Sequence, residues 1–182
     1  MQYMMEQVLL CFLGETATGK YPVECVKVMD KVATKIEESL KYWKRFKYRI
    51  YKIEDFDYNY NMNYSVCMSA ANINAKAILA YTNTGDTPRT VSSFGPECPI
   101  FAITSNETTY RQLGLCWNIA PILLPTQDTI DNLIYLGINK LKEEKLIQSG
   151  DVLSIAGGSK AVNNIQENEV EINNSMGGII KI

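Results

Sequence analysis

From Ala77 to Ala156 the chain alternates short apolar runs with longer segments of helical pattern, and this alternation constrains its folding more than any other feature. The runs are AILAY (Ala77–Tyr81), IFAIT (Ile100–Thr104), PILL (Pro121–Leu124) and VLSIA (Val152–Ala156). Pro88–Phe94, Glu107–Leu115 and Gln127–Lys145 lie between them as helical segments. That spacing suits repeated strand-helix units, which build a mostly parallel sheet covered by helices on both faces. The fold class is therefore α/β. A last apolar run, Gly178–Ile182, follows an Asn/Glu-rich stretch (Asn163–Asn174) and would add an edge strand.

Ahead of this region, Pro22 suits the first position of a helix, where its missing N–H costs nothing. Val26, Met29, Val32, Ala33, Ile36, Leu40 and Trp43 recur at helical spacing, so one amphipathic helix is expected from Pro22 to about Lys44. Lys44–Asn63 loses the period and reads as a connector, and Tyr64–Ala71 reads as a short helix.

The sharpest local feature is the loop after the first run, TNTGDTPR (Thr82–Arg89). Thr87 precedes Pro88 and is the expected N-cap of the next helix. Its neighbours place hydroxyls and an unhindered backbone above the helix N-terminus, where unpaired N–H groups and the helix dipole favour an anion. Thr82, Asn83, Thr84, Gly85 and Thr87 are the candidate phosphate-binding residues. The plain alternative is a helix start without a ligand.

Composition narrows the remaining classes. Net charge is −2 and charged residues make up 21%, so nothing global draws the chain to nucleic acid or an acidic membrane. KYWKRFKYRIYK (Lys41–Lys52) interleaves six basic residues with five aromatics, a pattern that nucleic-acid binders share. IEDFD follows at once, however, and the first half continues a helix whose basic face is more simply solvated, so no nucleic-acid partner is expected. No apolar run reaches the roughly 20 residues of a membrane span. Val8–Leu13 is too short for a signal-peptide core and has no Lys or Arg before it, so the expected location is cytoplasmic. There is no histidine, which removes Ser-His and Cys-His nucleophile pairs. Cys11, Cys25, Cys67, Cys98 and Cys116 form no CxxC pair and read as core thiols. Neither a metal nor a cofactor is expected. Gly157-Gly158-Ser159 has no helix after it and reads as a turn.

Five stretches together resemble pyruvate kinase. They are LGETATGKYPVECVKVM (Leu13–Met29), the Thr-x-Thr-Gly-x-Thr-Pro-Arg-x-Val-Ser loop (Thr82–Ser92), CPIFAIT (Cys98–Thr104), RQLGLCW (Arg111–Trp117) and SGDVLSIAGG (Ser149–Gly158). The resemblance runs from about Val8 to the C-terminus and concerns the family's C-terminal domain, preceded by what looks like the final strand of its catalytic barrel. It implies a three-layer αβα sandwich with a mixed sheet of about five strands, four parallel and one antiparallel. It divides the chain into 1–21, a barrel-strand remnant and junction, and 22–182, the C-terminal-like domain. In the family this domain shares a tetramer interface and holds an allosteric sugar-phosphate site, whereas catalysis belongs to the barrel and a cap domain. A barrel of that kind takes roughly 250 residues, which the stretch before Pro22 cannot supply.

Some positions depart from the family pattern. Asp86 occupies a loop position that many relatives fill with a neutral or basic residue, and its charge opposes a phosphate. Gly95 replaces a usual arginine, Asn118 stands where a glycine commonly follows the tryptophan, and no arginine occurs after Arg111. The resulting expectation is a non-catalytic module that binds a phosphate, a phosphosugar or a protein partner. The alternative is the tail subunit of a split or truncated pyruvate kinase that needs a separate barrel chain. A homo-oligomer, or association with such a barrel, is also expected, because Val8–Leu13 would otherwise expose six apolar side chains.

Overall fold

The computed structural model describes residues 13–49, 58–126, 130–157 and 176–182. Helices α1 (Leu13–Ala17), α2 (Pro22–Ser39), α3 (Tyr42–Arg49) and α4 (Tyr58–Asn72) come first. They lead into β1 (Ala77–Tyr81), α5 (Asp86–Ser93), β2 (Ile100–Thr104), α6 (Glu107–Leu113) and β3 (Ile119–Leu123). The chain closes with α7 (Ile130–Glu143), β4 (Val152–Gly157) and β5 (Met176–Lys181). Residues 1–42 and 43–182 are separate compact units.

In the first unit Pro22 opens α2, as its ring geometry favours. Val26 and Val32 on the apolar side of this helix remain about half exposed, at 55% and 50%. The single helix expected from Pro22 to about Lys44 is two. Leu40 is extended (φ −80°, ψ 127°) and its N–H closes on the Glu37 carbonyl at 3.1 Å, ending α2. Apolar spacing continues across this break because Leu40 and Trp43 keep the helical period, so the pattern alone cannot reveal it. Leu13, read as the end of a barrel strand, begins α1; Val8–Phe12 lie outside the described residues.

The second unit is built on one five-stranded sheet in the order β3-β2-β1-β4-β5. β1 pairs parallel with β2 and β4, β2 pairs parallel with β3, and β5 runs antiparallel to β4. Side chains alternate between faces along each strand. Ile78 and Ala80 of β1 join Ile100 and Ala102 of β2 under Val66 and Ala70 of α4, Val91 of α5 and Leu113 of α6. Leu79 and Tyr81 join Phe101, Ile103 and Ile155 on the other face, under Leu133 and Leu141 of α7. Helices thus cover both faces of a mixed, mostly parallel sheet, which is the three-layer αβα sandwich. Pro121 lies in β3, at the edge of the sheet, where its missing N–H breaks no ladder bond.

The connector expected over Lys44–Asn63 is largely helical: α3 occupies its start and α4 begins at Tyr58, while residues 50–57 lie outside the described ones. Tyr and Asn have modest helix propensity, and tertiary packing overrides it. Phe46 is buried and packs its ring 5.3 Å from Tyr64 and 6.0 Å from Phe94, and Tyr60 lies 4.8 Å from Phe94. Trp43 and Phe46 are therefore core aromatics rather than a stacking platform, and Lys44 lies exposed beside them.

Candidate anion site at the start of helix α5

Chain direction across the sheet reverses at β1. From β1 the chain moves outward through α5 to β2 and through α6 to β3, and then α7 carries it back to β4 on the other side of β1. In open α/β sheets the crevice at the carboxyl ends of the strands flanking such a reversal is where ligands bind. The loop after β1 and the first turn of α5 lie at that place.

Thr82 continues the sheet, its N–H donating to the Ile103 carbonyl at 3.0 Å. Its buried hydroxyl accepts the Gly85 N–H at 2.8 Å, which folds residues 82–85 into a tight turn. Gly85 has φ +90°, a conformation that a side chain resists and glycine adopts freely. Asn83 is tied to the next βα loop: Ser105 Oγ donates to its Oδ1 at 3.3 Å and Thr109 Oγ1 to its carbonyl at 2.8 Å. Thr84 is exposed, and its hydroxyl donates to Asp86 Oδ2 at 2.7 Å.

The expected cap is corrected. Gly85, not Thr87, is the N-cap of α5, and among the described residues no side chain caps it. Thr87 is the second helical residue, because the left-handed glycine starts the helix two residues sooner than Pro88 alone implies. The N–H groups of Asp86 and Thr87 therefore have no intrahelical acceptor. Helix α6 differs: Asn106 Oδ1 accepts from Thr108 N at 2.9 Å and Thr109 N at 3.2 Å. One helix start is closed by its own side chain and the other lacks such a cap.

The structure thus gathers all five sequence-selected residues in one turn but divides their roles. Thr82, Asn83 and Gly85 shape and anchor the turn, while Thr84 and the N–H of Thr87 lie at the helix start. Sequence reasoning missed Arg89. Its Nη1 donates to the Thr84 carbonyl at 3.1 Å, its Nη2 donates to Gln112 Oε1 at 3.0 Å, and Nη1 lies 3.8 Å from Asp86 Oδ1. The available signal was the i, i+3 spacing of Asp86 and Arg89 on a helix beginning at Asp86, which the misplaced cap concealed.

Other reactive groups serve the core. Burial raises the Tyr81 phenol well above its ordinary value, and its Oη donates to the Ile134 carbonyl at 3.4 Å. Burial also raises the Cys67 thiol, with the neighbouring Cys98 adding to the shift. Cys98 is pushed up to about 11 by burial, with a backbone hydrogen bond opposing and the Glu97 charge assisting. Neither thiol has the depressed pKa of a nucleophile at neutral pH.

The departures at Gly95 and Asn118 have a backbone reason. Gly95 follows α5 with φ +68°, where a C-terminal glycine is favoured. Asn118 has φ +56°, which explains a preference for glycine there and the suitability of asparagine. Its Nδ2 donates to the Pro96 and Cys98 carbonyls at 3.0 and 2.9 Å.

Comparison with known proteins agrees with this architecture. The family model "Pyruvate kinase, alpha/beta domain" matches residues 61–172, more than half of the chain. The pyruvate kinase of Staphylococcus saprophyticus is 37% identical over 145 residues, which are 80% of this chain and 25% of the relative. That of Clostridium acetobutylicum is 34% identical over 145 residues, covering 80% of this chain and 30% of the relative. A crystal structure of a Cryptosporidium parvum pyruvate kinase superposes with a TM-score of 0.77 at 26% identity, covering 92% of this chain and 32% of that one. The chain spans between a quarter and a third of the length of these relatives. With the same sheet, the same layers and a family match across most of the second unit, the chain belongs to the pyruvate kinase family through its C-terminal alpha/beta domain.

Proposed function

We propose that this chain is a non-catalytic binding module of pyruvate kinase C-terminal type, whose ligand is a phosphate or phosphosugar held at the start of α5. The observation that carries the reading is the uncapped helix start at the carboxyl end of β1, beside the reversal of the sheet. Thr84, Thr87 and the backbone of Gly85 and Asp86 surround it, with Thr82 and Asn83 fixing the turn. A helix terminus with unmet N–H groups is a ready anion site. The test is titration of inorganic phosphate and sugar phosphates into ¹⁵N-labelled protein. Amide shifts should centre on residues 82–87; shifts concentrated elsewhere would refute this placement.

A second reading is a tail subunit that works with a separate barrel chain in transferring phosphate between phosphoenolpyruvate and ADP. The exposed apolar side of α2, with Val26 and Val32 half uncovered, favours it. Adding a pyruvate kinase barrel fragment to the chain should then produce a complex on size exclusion and restore turnover. Separate elution without turnover would rule it out.

A further inference from the structure

We propose that helix α3 is a basic docking surface for the phosphate backbone of a nucleic-acid duplex. Lys41–Lys52 holds six basic residues and no carboxylate, so the remainder of the chain carries −8 within a net charge of −2. The sequence reading gives this run no nucleic-acid partner, because its first half continues the amphipathic helix from Pro22. The structure makes α3 a helix of its own, and residues 43–49 belong to the unit that holds the sheet. Its seat in that unit is aromatic. Phe46 is 1% exposed, with its ring 5.9 Å from Trp43, 5.3 Å from Tyr64 and 6.0 Å from Phe94.

With Trp43 and Phe46 packed into the core, charge is what α3 offers a partner. Lys44, Arg45, Lys47 and Arg49 share its eight residues. Lys44 and Lys47 stand three residues apart and Arg45 and Arg49 four, the spacings at which like charges repel along a helix. No acidic residue on α3 relieves them. Lys44 is exposed and enters no ion pair among the described residues. A dense polyanion would remove that repulsion. Single strands and lipid surfaces favour aromatic side chains free to stack or insert, which Trp43 and Phe46 are not. A duplex offers one phosphate charge per roughly 1.7 Å of axis and requires no stacking. A helix about 10–12 Å across also fits a major groove about 12 Å wide. Contacts to phosphates alone make the binding independent of base sequence. Glu54, Asp55 and Asp57 follow in the sequence, and their charge keeps it weak.

A short fluorescein-labelled DNA duplex titrated with the 182-residue chain, followed by anisotropy, tests this. Four phosphate contacts give a log–log salt slope of about −3.6, so affinity should fall about a hundredfold between roughly 50 and 200 mM salt. Lys44→Gln/Lys47→Gln should bring the slope to about −2 and weaken binding several-fold at the lower salt. Lys142→Gln/Lys145→Gln removes the same charge from exposed residues around the end of α7 and should change neither. Absence of duplex binding at about 50 mM salt, or an equal loss in both double variants, overturns the proposal. Binding to phosphatidylserine vesicles without binding to the duplex also overturns it, making α3 a membrane-facing helix. Neither variant alters the α5 loop, so each of these results leaves the anion-site reading as it was.

Discussion

Asn118 offers a perturbation whose two physical contributions can be separated. Its backbone is left-handed at φ +56°, and its amide donates to the Pro96 and Cys98 carbonyls at 3.0 and 2.9 Å. Asn118→Ala removes both hydrogen bonds, at about 1 kcal/mol each, and places a Cβ residue without compensating polarity in the left-handed region, for about 1 kcal/mol more. The expected loss is about 3 kcal/mol. Asn118→Gly removes the same bonds but fits the backbone without steric strain, so its loss should be about 1–2 kcal/mol. For a chain of this length, about 3 kcal/mol lowers Tm by roughly 6–12 °C. Because Ser92 of α5 donates to the neighbouring Trp117 carbonyl at 2.6 Å, the loosened segment also bears on the helix that carries the candidate site. Urea unfolding followed by tryptophan fluorescence and far-ultraviolet circular dichroism measures both variants. If Ala and Gly cost the same, the backbone contribution is absent. If Ala stays within about 0.5 kcal/mol of wild type, the side-chain bonds are too weak to matter, and the reasoning fails at its first step.

Four further outcomes are expected. The purified chain alone should not transfer phosphate between phosphoenolpyruvate and ADP with Mg²⁺ and K⁺ present, because stabilising that transfer requires placed metal ions and cationic side chains; reproducible turnover in a coupled assay would contradict this. Cys67 and Cys98 should resist a thiol reagent at pH 8 until the protein unfolds, while the partly exposed Cys25 and Cys116 react sooner. Because burial raises both protected thiols above their unfolded values, their contribution to stability is complete below about pH 8.5 and declines as pH rises beyond it, so a melting series from pH 7 to 10 should fall at the alkaline end. The assembly expected from the apolar sequence run Val8–Leu13 is checked by light scattering on the full chain and on a version starting at Glu15; a monomer, or an unchanged oligomer in the shortened version, would refute it.

The α/β core was legible in the sequence because strands buried on both faces must be apolar throughout their length. Ala77–Tyr81 and Ile100–Thr104 were located to the residue for that reason, and β3 was misjudged by two residues at its start. Pro22 likewise announced the start of α2 through its fixed backbone angle. These are local properties, written in single residues and their periods. The break between α2 and α3 and the early start of α4 were not local. The early start of α4 goes with Phe46, Tyr60 and Tyr64 gathering around Phe94, contacts between residues far apart in the chain.

The same division holds at the site. Residues 82–87 could be selected as a candidate from their hydroxyls, their glycine and the proline that follows, which together mark a helix start able to face an anion. Which donors the turn already uses could not be read there. Whether Thr84 gives its proton to Asp86, and whether Arg89 reaches Gln112 on α6, depends on a left-handed Gly85 and on the distance between two helices. The strands of this protein and the place of its loop follow from burial and backbone preference, which act residue by residue. The loop's partners follow from packing, since a hydrogen bond is set by the ångströms between groups that sequence separation does not encode.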